Sequence, residues 1–296
     1  MSYEPGPVLE RAVQAVLASR FRPLEVIVVD NGSRDGAARG LADSCDGRLQ
    51  MLFLGSNRGF AGAVNAAIDW RETRVGEPPV DVYALVNPDC FVEPGWLGPL
   101  VAVLTAEPSV AVVGGLLYDS SGSAIEHAGA VVRANGLTEH RGRGCRRLGE
   151  YERPAEVDYV TGAMCAFRAS TWHRLGGFDA GYFPAYFEET DFCLRARSLG
   201  MRVVYEPAAR GIHLEAVSLG KKTDAFFRVY HRNRVRFAAR HLLRRGRWLA
   251  AVSSELGWLA GGGARGSARA VAAAYARLPI ELWAARRARS SEGACR

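Results

Sequence analysis

Apolar residues recur at helical spacing near the start of the chain, at Leu9, Val13, Val16 and Leu17, and predict a helix over residues 8–19. The run Leu24-Glu25-Val26-Ile27-Val28-Val29-Asp30 that follows is almost continuously apolar, as a parallel strand covered on both faces is. The pattern then repeats. Strands are expected at 49–54, 82–86 and 110–114, with helices at 62–71 and 94–105 between them. Strands and helices taking turns in this way predict an α/β fold, a mostly parallel sheet flanked by helices. The rhythm breaks over 118–153, where glycines at 122, 129, 136, 142, 144 and 149 predict hairpins and an irregular excursion. Order resumes at 157–167, with a helix at 170–175, a Gly176-Gly177 turn, a helix at 188–199 closed by Gly200, and a strand at 201–206. Beyond Lys221 the chain turns basic and helical: one helix at 226–243, a hinge at Gly261-Gly262-Gly263, and an Ala/Arg-rich helix at 268–289. Two regions are therefore expected, 1–220 and 221–296.

Polar residues gather where the predicted strands end. Val82-Tyr83-Ala84-Leu85-Val86 stops at Asn87-Pro88-Asp89; Pro88 cannot donate to a sheet ladder and disfavours the helical region for Asn87, so Asp89 is left at the carboxyl end of the strand. That is where α/β sheets keep their ligands, although Asn-Pro-Asp is also a good turn. Asp30-Asn31-Gly32-Ser33-Arg34-Asp35-Gly36 follows the first strand with groups able to hydrogen-bond a base or ribose. Glu188-Glu189-Thr190-Asp191 opens a helix with three carboxylates, more than capping needs, and His213 lies past Pro207, read as the end of the last strand.

Composition narrows the classes. A chain of 296 residues, 48% hydrophobic, can bury a full core. It shows neither a signal-peptide pattern nor a run of 18 apolar residues, which predicts a cytoplasmic protein. Six scattered cysteines lack paired zinc spacing and read as reduced thiols. The net charge of +7 conceals a division: 18 Lys and Arg against 5 Asp and Glu from Arg210 onward, but 20 against 26 before it. A basic tail on an acidic body fits an anionic partner, phospholipid or nucleic acid, or simply a solvated face.

In order and spacing these motifs resemble the inverting glycosyltransferases of family two, with the GT-A fold, in the branch that holds bacterial rhamnosyltransferases. The resemblance runs from Ser2 to Gly220. It is carried by Val-Val-Asp-Asn-Gly-Ser-Arg-Asp-Gly (28–36), Asn-Arg-Gly-Phe-Ala-Gly-Ala-Val-Asn (57–65), Asn-Pro-Asp (87–89), Gly-Gly-Phe-Asp (176–179), Phe-Glu-Glu-Thr-Asp-Phe-Cys-Leu-Arg (187–195) and His213. It implies transfer of a sugar from a nucleotide-diphosphate donor, dTDP-rhamnose among the candidates, to a glycan or lipid-linked acceptor in cell-envelope polysaccharide synthesis. Donor contacts would fall on Tyr3, Asp30, Asn31, Ser33, Asn57, Gly59, Asn65 and Asn87, and acceptor contacts on Gly162, Ala163 and Glu188. Glu189 would be the base, with Glu188 and Asp191 in support, and Asp89 and His213 would hold Mg²⁺ or Mn²⁺, suited to hard oxygen ligands.

The chain departs from the family at two places. Asn87 stands where the Asp-x-Asp metal motif has its first Asp, so coordination falls on Asp89, His213 and the diphosphate. Members open with an apolar strand leading into a Thr-Tyr-Asn-like turn, whereas this chain opens at that turn, Met1-Ser2-Tyr3-Glu4. A central strand is thus expected to be missing, and an upstream-extended form to be more stable. For the tail, the lipid-linked acceptors of this branch favour peripheral contact with the inner face of an anionic membrane over nucleic acid. The arginines from Arg228 to Arg247, beside Phe226, Phe227, Tyr230, Phe237 and Trp248, would form the interfacial helix. A catalytically silent nucleotide-sugar-binding scaffold is the alternative. No Gly-x-Gly-x-x-Gly fingerprint supports a dinucleotide enzyme.

Overall fold

A computed structural model describes residues 1–42, 46–214, 223–243 and 248–294, with side chains as far as Arg287. In chain order the elements are α1 (Val8–Leu17), β1 (Val26–Asp30), α2 (Ala37–Leu41), β2 (Leu49–Phe53), α3 (Gly59–Glu72), β3 (Val82–Val86), β4 (Cys90–Val92), α4 (Leu97–Ala106) and β5 (Val110–Tyr118). There follow β6 (Ile125–His127), β7 (Ala130–Val132), β8 (Thr138–His140), β9 (Ala155–Glu156), β10 (Met164–Arg168), α5 (Ala169–Leu175), α6 (Glu188–Ser198) and β11 (Arg202–His213). The last helices are α7 (Asp224–Phe237), α8 (Trp248–Ala260), α9 (Ala268–Ala276) and α10 (Leu278–Ala294). They form two compact units. One comprises Met1–Val131, His140–Pro184 and the chain from Glu188 through β11; the other comprises Val132–Glu139, Ala185–Phe187 and the helices from α7 onward.

In the first unit, the main sheet runs β3-β10-β5-β11-β4, with β6 on β5 and β9 on β11. The α/β class is as expected, and the sheet is mixed. β5 and β11 are parallel, but β10 enters antiparallel between β3 and β5, and β4 is antiparallel to β11. β5 is the buried centre: Val110 to Leu117 are all covered, as its apolar sequence requires. Gly115 is indispensable there, because a Cβ would stand 2.3 Å from Met164 Cε and 2.5 Å from the Ala209 carbonyl oxygen. β11 is longer than the predicted 201–206. Pro207 does not end it; the pairing with β5 slips between Glu206 and Arg210 and continues to Ile212, so the proline is accommodated in a bulge.

β1 pairs in parallel with β2, and this pair forms a separate sheet. Between β1 and β3 lies a cleft of about 610 Å³ whose walls include Val26–Val29 and Val82–Val86, with side chains of α1, α3 and α4 around it. Ser2 makes a parallel bridge to Asp30: its N–H donates to Val29 O and its carbonyl accepts from Asn31 N–H, both at 2.8 Å.

In the second unit, α7 is not the interfacial helix its composition predicts. Phe237 and Arg234 are fully buried. The Arg234 guanidinium pairs with Glu255 of α8 at 2.7 and 3.0 Å and lies 4.9 Å over the Trp258 ring, while Asn135 donates to the same carboxylate at 2.9 Å. A buried guanidinium paired with a carboxylate belongs to an interior, and in the same unit Tyr186, Phe187, Phe226 and Tyr230 pack ring against ring. Arg244, Arg245 and Arg247 lie outside the described residues. The helix predicted at 268–289 is two, α9 and α10, because Pro279 has no N–H to extend a helix through that point. Among the described residues Cys90, Cys165 and Cys193 are buried, Cys145 is exposed, and all four are free thiols.

Candidate active site

β4 pairs antiparallel with β11 in the register Cys90↔His213, and the Leu214 N–H donates to Asp89 O at 3.0 Å. That register brings together residues 124 positions apart. His213 Nε2 stands 3.3 Å from Asp89 Oδ1 and 3.5 Å from Asn87 Nδ2. Its other ring nitrogen, Nδ1, meets Glu126 of β6 at 2.9 Å. All three ionisable groups are buried. Burial alone would lower the imidazole's pKa, but hydrogen bonds to Asp89 and Glu126, with their charges, push it up to about 10. The cradle therefore favours a positive charge. Glu126 was not foreseen, for Ile125-Glu126-His127 sits in the glycine-rich excursion and only the β5–β6 pairing brings it to the end of β11.

Among the described residues no group of three or more His, Cys, Asp and Glu forms a ready-made metal cage. Asp89 and His213 nonetheless fit a divalent ion as a pair of oxygen and nitrogen ligands completed by a substrate diphosphate. Glu126 on Nδ1 fixes the ring with Nε2 toward Asp89, the carboxylate–histidine arrangement common behind metal ligands.

The second acidic group opens α6. Glu188 is buried and its Oε1 has no hydrogen-bond partner. Burial, and then the neighbouring Glu189 charge, hold its carboxyl well above the ordinary range. Glu189 is raised by burial too, against the Gly162 N–H, which donates to Oε1 at 3.5 Å. Asp191 behaves differently. It is wholly buried, accepts from Tyr182 Oη at 3.1 Å and from Arg195 Nε at 2.7 Å, and Arg195 also donates to Leu175 O and Gly177 O. Its carboxylate ties α6 to the Gly176-Gly177 turn instead of supporting Glu189.

Gly162 and Ala163 connect the two clusters, since the Asn87 N–H donates to Ala163 O at 3.1 Å while Gly162 faces Glu189. Any side chain at 162 would press on the Phe60 ring at 2.9 Å.

At the end of β1, Asp30 accepts from the Ser33 N–H at 3.2 Å, and Ser33 Oγ accepts from the Glu4 N–H at 3.1 Å, beside Tyr3. Asp30 and Ser33 line a pocket of about 290 Å³ together with Arg34, Asp35 and Arg39, two cations and an acid that the donor set had not included. Asn31, Asn57 and Gly59 are knit to one another: Asn31 Nδ2 donates to Asn57 Oδ1 at 3.1 Å and to Gly59 O at 3.2 Å, and the Arg58 N–H donates to Asn31 Oδ1 at 2.8 Å. The two asparagine side chains shape the loop. Asn65 is a brace elsewhere, exchanging hydrogen bonds with the Phe178 backbone at 2.9 and 3.0 Å.

Residues 2–175 match the family described as glycosyl transferase family 2. The chain belongs to that family. It is 31% identical over 259 residues to an N-acetylglucosaminyl-diphospho-decaprenol L-rhamnosyltransferase of Mycobacterium tuberculosis, covering 81% of this chain and 82% of that protein. It is 26% identical over 222 residues to the glucosyl-dolichyl phosphate glucuronosyltransferase of Haloferax volcanii, covering 72% of this chain and 66% of that one. Among solved structures, a mannosyltransferase of Pyrobaculum calidifontis in complex with GDP-Man and Mn²⁺ has a TM-score of 0.57 at 18% identity, over 96% of this chain and 84% of that one. GalNAc-T7 with UDP, GalNAc and Mn²⁺ has a TM-score of 0.60 at 16% identity, over 79% of this chain and 45% of that one. The family two protein described here is a glycosyltransferase with the GT-A fold, similar in sequence to a mycobacterial L-rhamnosyltransferase.

Proposed function

We propose that this glycosyltransferase moves a sugar, with inversion, from a nucleotide-diphosphate donor to a lipid-linked glycan acceptor, with dTDP-rhamnose the first donor to test. The observation that supports the reading is the backbone link in which the Asn87 N–H donates to Ala163 O and the adjoining Gly162 N–H donates to Glu189, joining the turn that carries Asp89, partner of His213, to the start of α6. Displacement at an anomeric carbon needs these two chemistries, one for the departing diphosphate and one for the incoming hydroxyl. Asp89 and His213, the latter once its Nε2 proton is displaced, would hold Mg²⁺ or Mn²⁺, which would supply neutralisation of the charge on the leaving nucleotide diphosphate. Glu189 accepts the proton of the acceptor hydroxyl at Oε1 or Oε2, and its raised pKa makes it a better base than an exposed glutamate. Asp30 and Ser33 hold the nucleoside, and Arg34 and Arg39 add positive charge beside it.

The mycobacterial relative is named for a decaprenol-linked acceptor, which supports a cytoplasmic protein peripheral to the inner face of the membrane. Incubation with a panel of nucleotide sugars, Mn²⁺ or Mg²⁺, and a polyprenyl-diphosphate N-acetylglucosamine acceptor tests the reading. Product of inverted anomeric configuration from one donor is expected, with loss on chelation. Donor binding without transfer would instead favour a silent scaffold.

A further inference from the structure

α8 carries a second hydrophobic face. Its inner side, Ala251, Glu255 and Trp258, meets the rest of its unit, whereas Trp248, Leu249, Val252, Leu256 and Leu259 stand in solvent, with Leu249 62% and Leu256 61% exposed. At helical spacing these five fall within an arc of about 100°. Ile280 and Trp283 of α10, one turn apart, are exposed as well. Isolated exposed apolar residues are ordinary, but a stripe of five on one helix calls for a partner.

The charges around the stripe say which partner. Among the described residues from Trp248 to Arg287 the acids are Glu255 and Glu281, and both are buried in ion pairs, with Arg234 at 2.7 Å and Arg236 at 3.1 Å. The exposed charged side chains of this region are all arginines, among them Arg265, Arg269 and Arg277. An apolar helix face in a segment whose exposed charged side chains, among the described residues, are all arginines complements an anionic lipid headgroup layer over an acyl layer. Among the described residues no helix is long and apolar enough to cross a membrane, so the contact lies along the surface.

We propose that α8, assisted by Ile280 and Trp283 of α10, docks the glycosyltransferase on an anionic phospholipid bilayer, the aliphatic and Trp side chains entering the headgroup boundary and the arginines meeting phosphate. This deepens the membrane reading under the proposed function, and rests on it only for its biological purpose, because the surface itself requires no acceptor.

Co-sedimentation of the full chain with vesicles of equal parts phosphatidylglycerol and phosphatidylcholine, free of any lipid-linked sugar, tests it against vesicles of phosphatidylcholine alone. Strong binding to the anionic vesicles is expected, weakened by salt. The Leu249→Glu/Leu256→Glu variant should bind about tenfold or more weakly, because two burying side chains are replaced by charges. Since both positions are exposed, its melting curve and its transfer to a water-soluble acceptor analogue should be unchanged. Equal binding to neutral vesicles, no binding by the parent chain, or full binding by the variant would overturn the proposal. So would a parent chain that dimerises through this face, seen by light scattering as a dimer that the variant dissolves without any vesicle binding. Failure of transfer with intact vesicle binding would instead count against the proposed function alone.

Discussion

Two groups of buried carboxylates lie in the first unit, and they differ in what stands between them. Asp89 and Glu126 bracket an imidazole at 3.3 and 2.9 Å and push its pKa up to about 10, so that a cation, whether a proton or a metal ion in its place on Nε2, is favoured there. Glu188, buried, and Glu189, half-buried, are neighbours with no ion pair among the described residues, and the pKa of each is raised. Asp191, in the same helical turn as those two, has Arg195 at 2.7 Å and belongs with the framework. Carboxylates thus meet three environments according to the nearest opposite charge, and the proposed function reads them as a cation cradle, a proton acceptor and a tie. Burial makes the difference large, because in a dry site an unbalanced charge is answered by a shift in pKa.

The sharpest way to break this comparison is to remove the proposed proton acceptor alone. Glu189→Gln should lower the transfer rate by about a thousandfold or more, within the range of general-base loss, while calorimetry shows unchanged donor affinity. Retained turnover would assign the proton to another group. Next, Arg195→Ala removes the cation that faces the buried Asp191, and should cost about 3 kcal/mol of stability in a denaturant titration, with donor affinity in the surviving folded fraction preserved. If Asp191 served catalysis directly, activity would fall further than stability explains. Glu126→Gln should weaken Mn²⁺ binding by about 10- to 100-fold, as losses behind a metal-ligating histidine do, with little change in melting temperature.

The smallest effect is on Glu188. Its folded pKa lies above the ordinary 4.5, so its carboxyl favours the folded state below that pH and loses this contribution as pH rises. Glu188→Gln does not titrate. It should therefore be more stable than the parent by about 1 to 3 kcal/mol at pH 7 to 8, the scale of an unsatisfied buried polar group, and the gap should close below pH 4.5. A constant gap across that range would show that the burial of Glu188 is not what raises it.

Much of this arrangement was legible in the sequence, and the rest was not for definite reasons. β1, β2, β3 and α6 came from periodicity within a residue or two at most ends, and Asp89 and Glu189 from motif order. Glu126 could not be read, because its approach to His213 depends on the register of β6 on β5 and of β5 on β11, which no local pattern encodes. The extent of β11 was hidden by Pro207, an ordinary strand breaker that a bulge absorbs. Asn65 fits the family motif yet braces Phe178, since a motif records which residue stands at a position and not which way it turns. In the second unit, arginine density on α7 pointed outward, whereas pairing of Arg234 with Glu255 drew that helix inward and left the apolar stripe on α8, whose hydrophobic residues on two faces give no single amphipathic signal.

The division of roles between the two clusters is tested most directly by Mn²⁺-dependent binding of the nucleotide diphosphate, measured by calorimetry on Asp89→Asn and Glu189→Gln side by side. Asp89→Asn should lose the Mn²⁺ dependence, and Glu189→Gln should bind as the parent chain does. Equal loss in both variants, or Mn²⁺-dependent binding that survives in Asp89→Asn, would contradict the assignment.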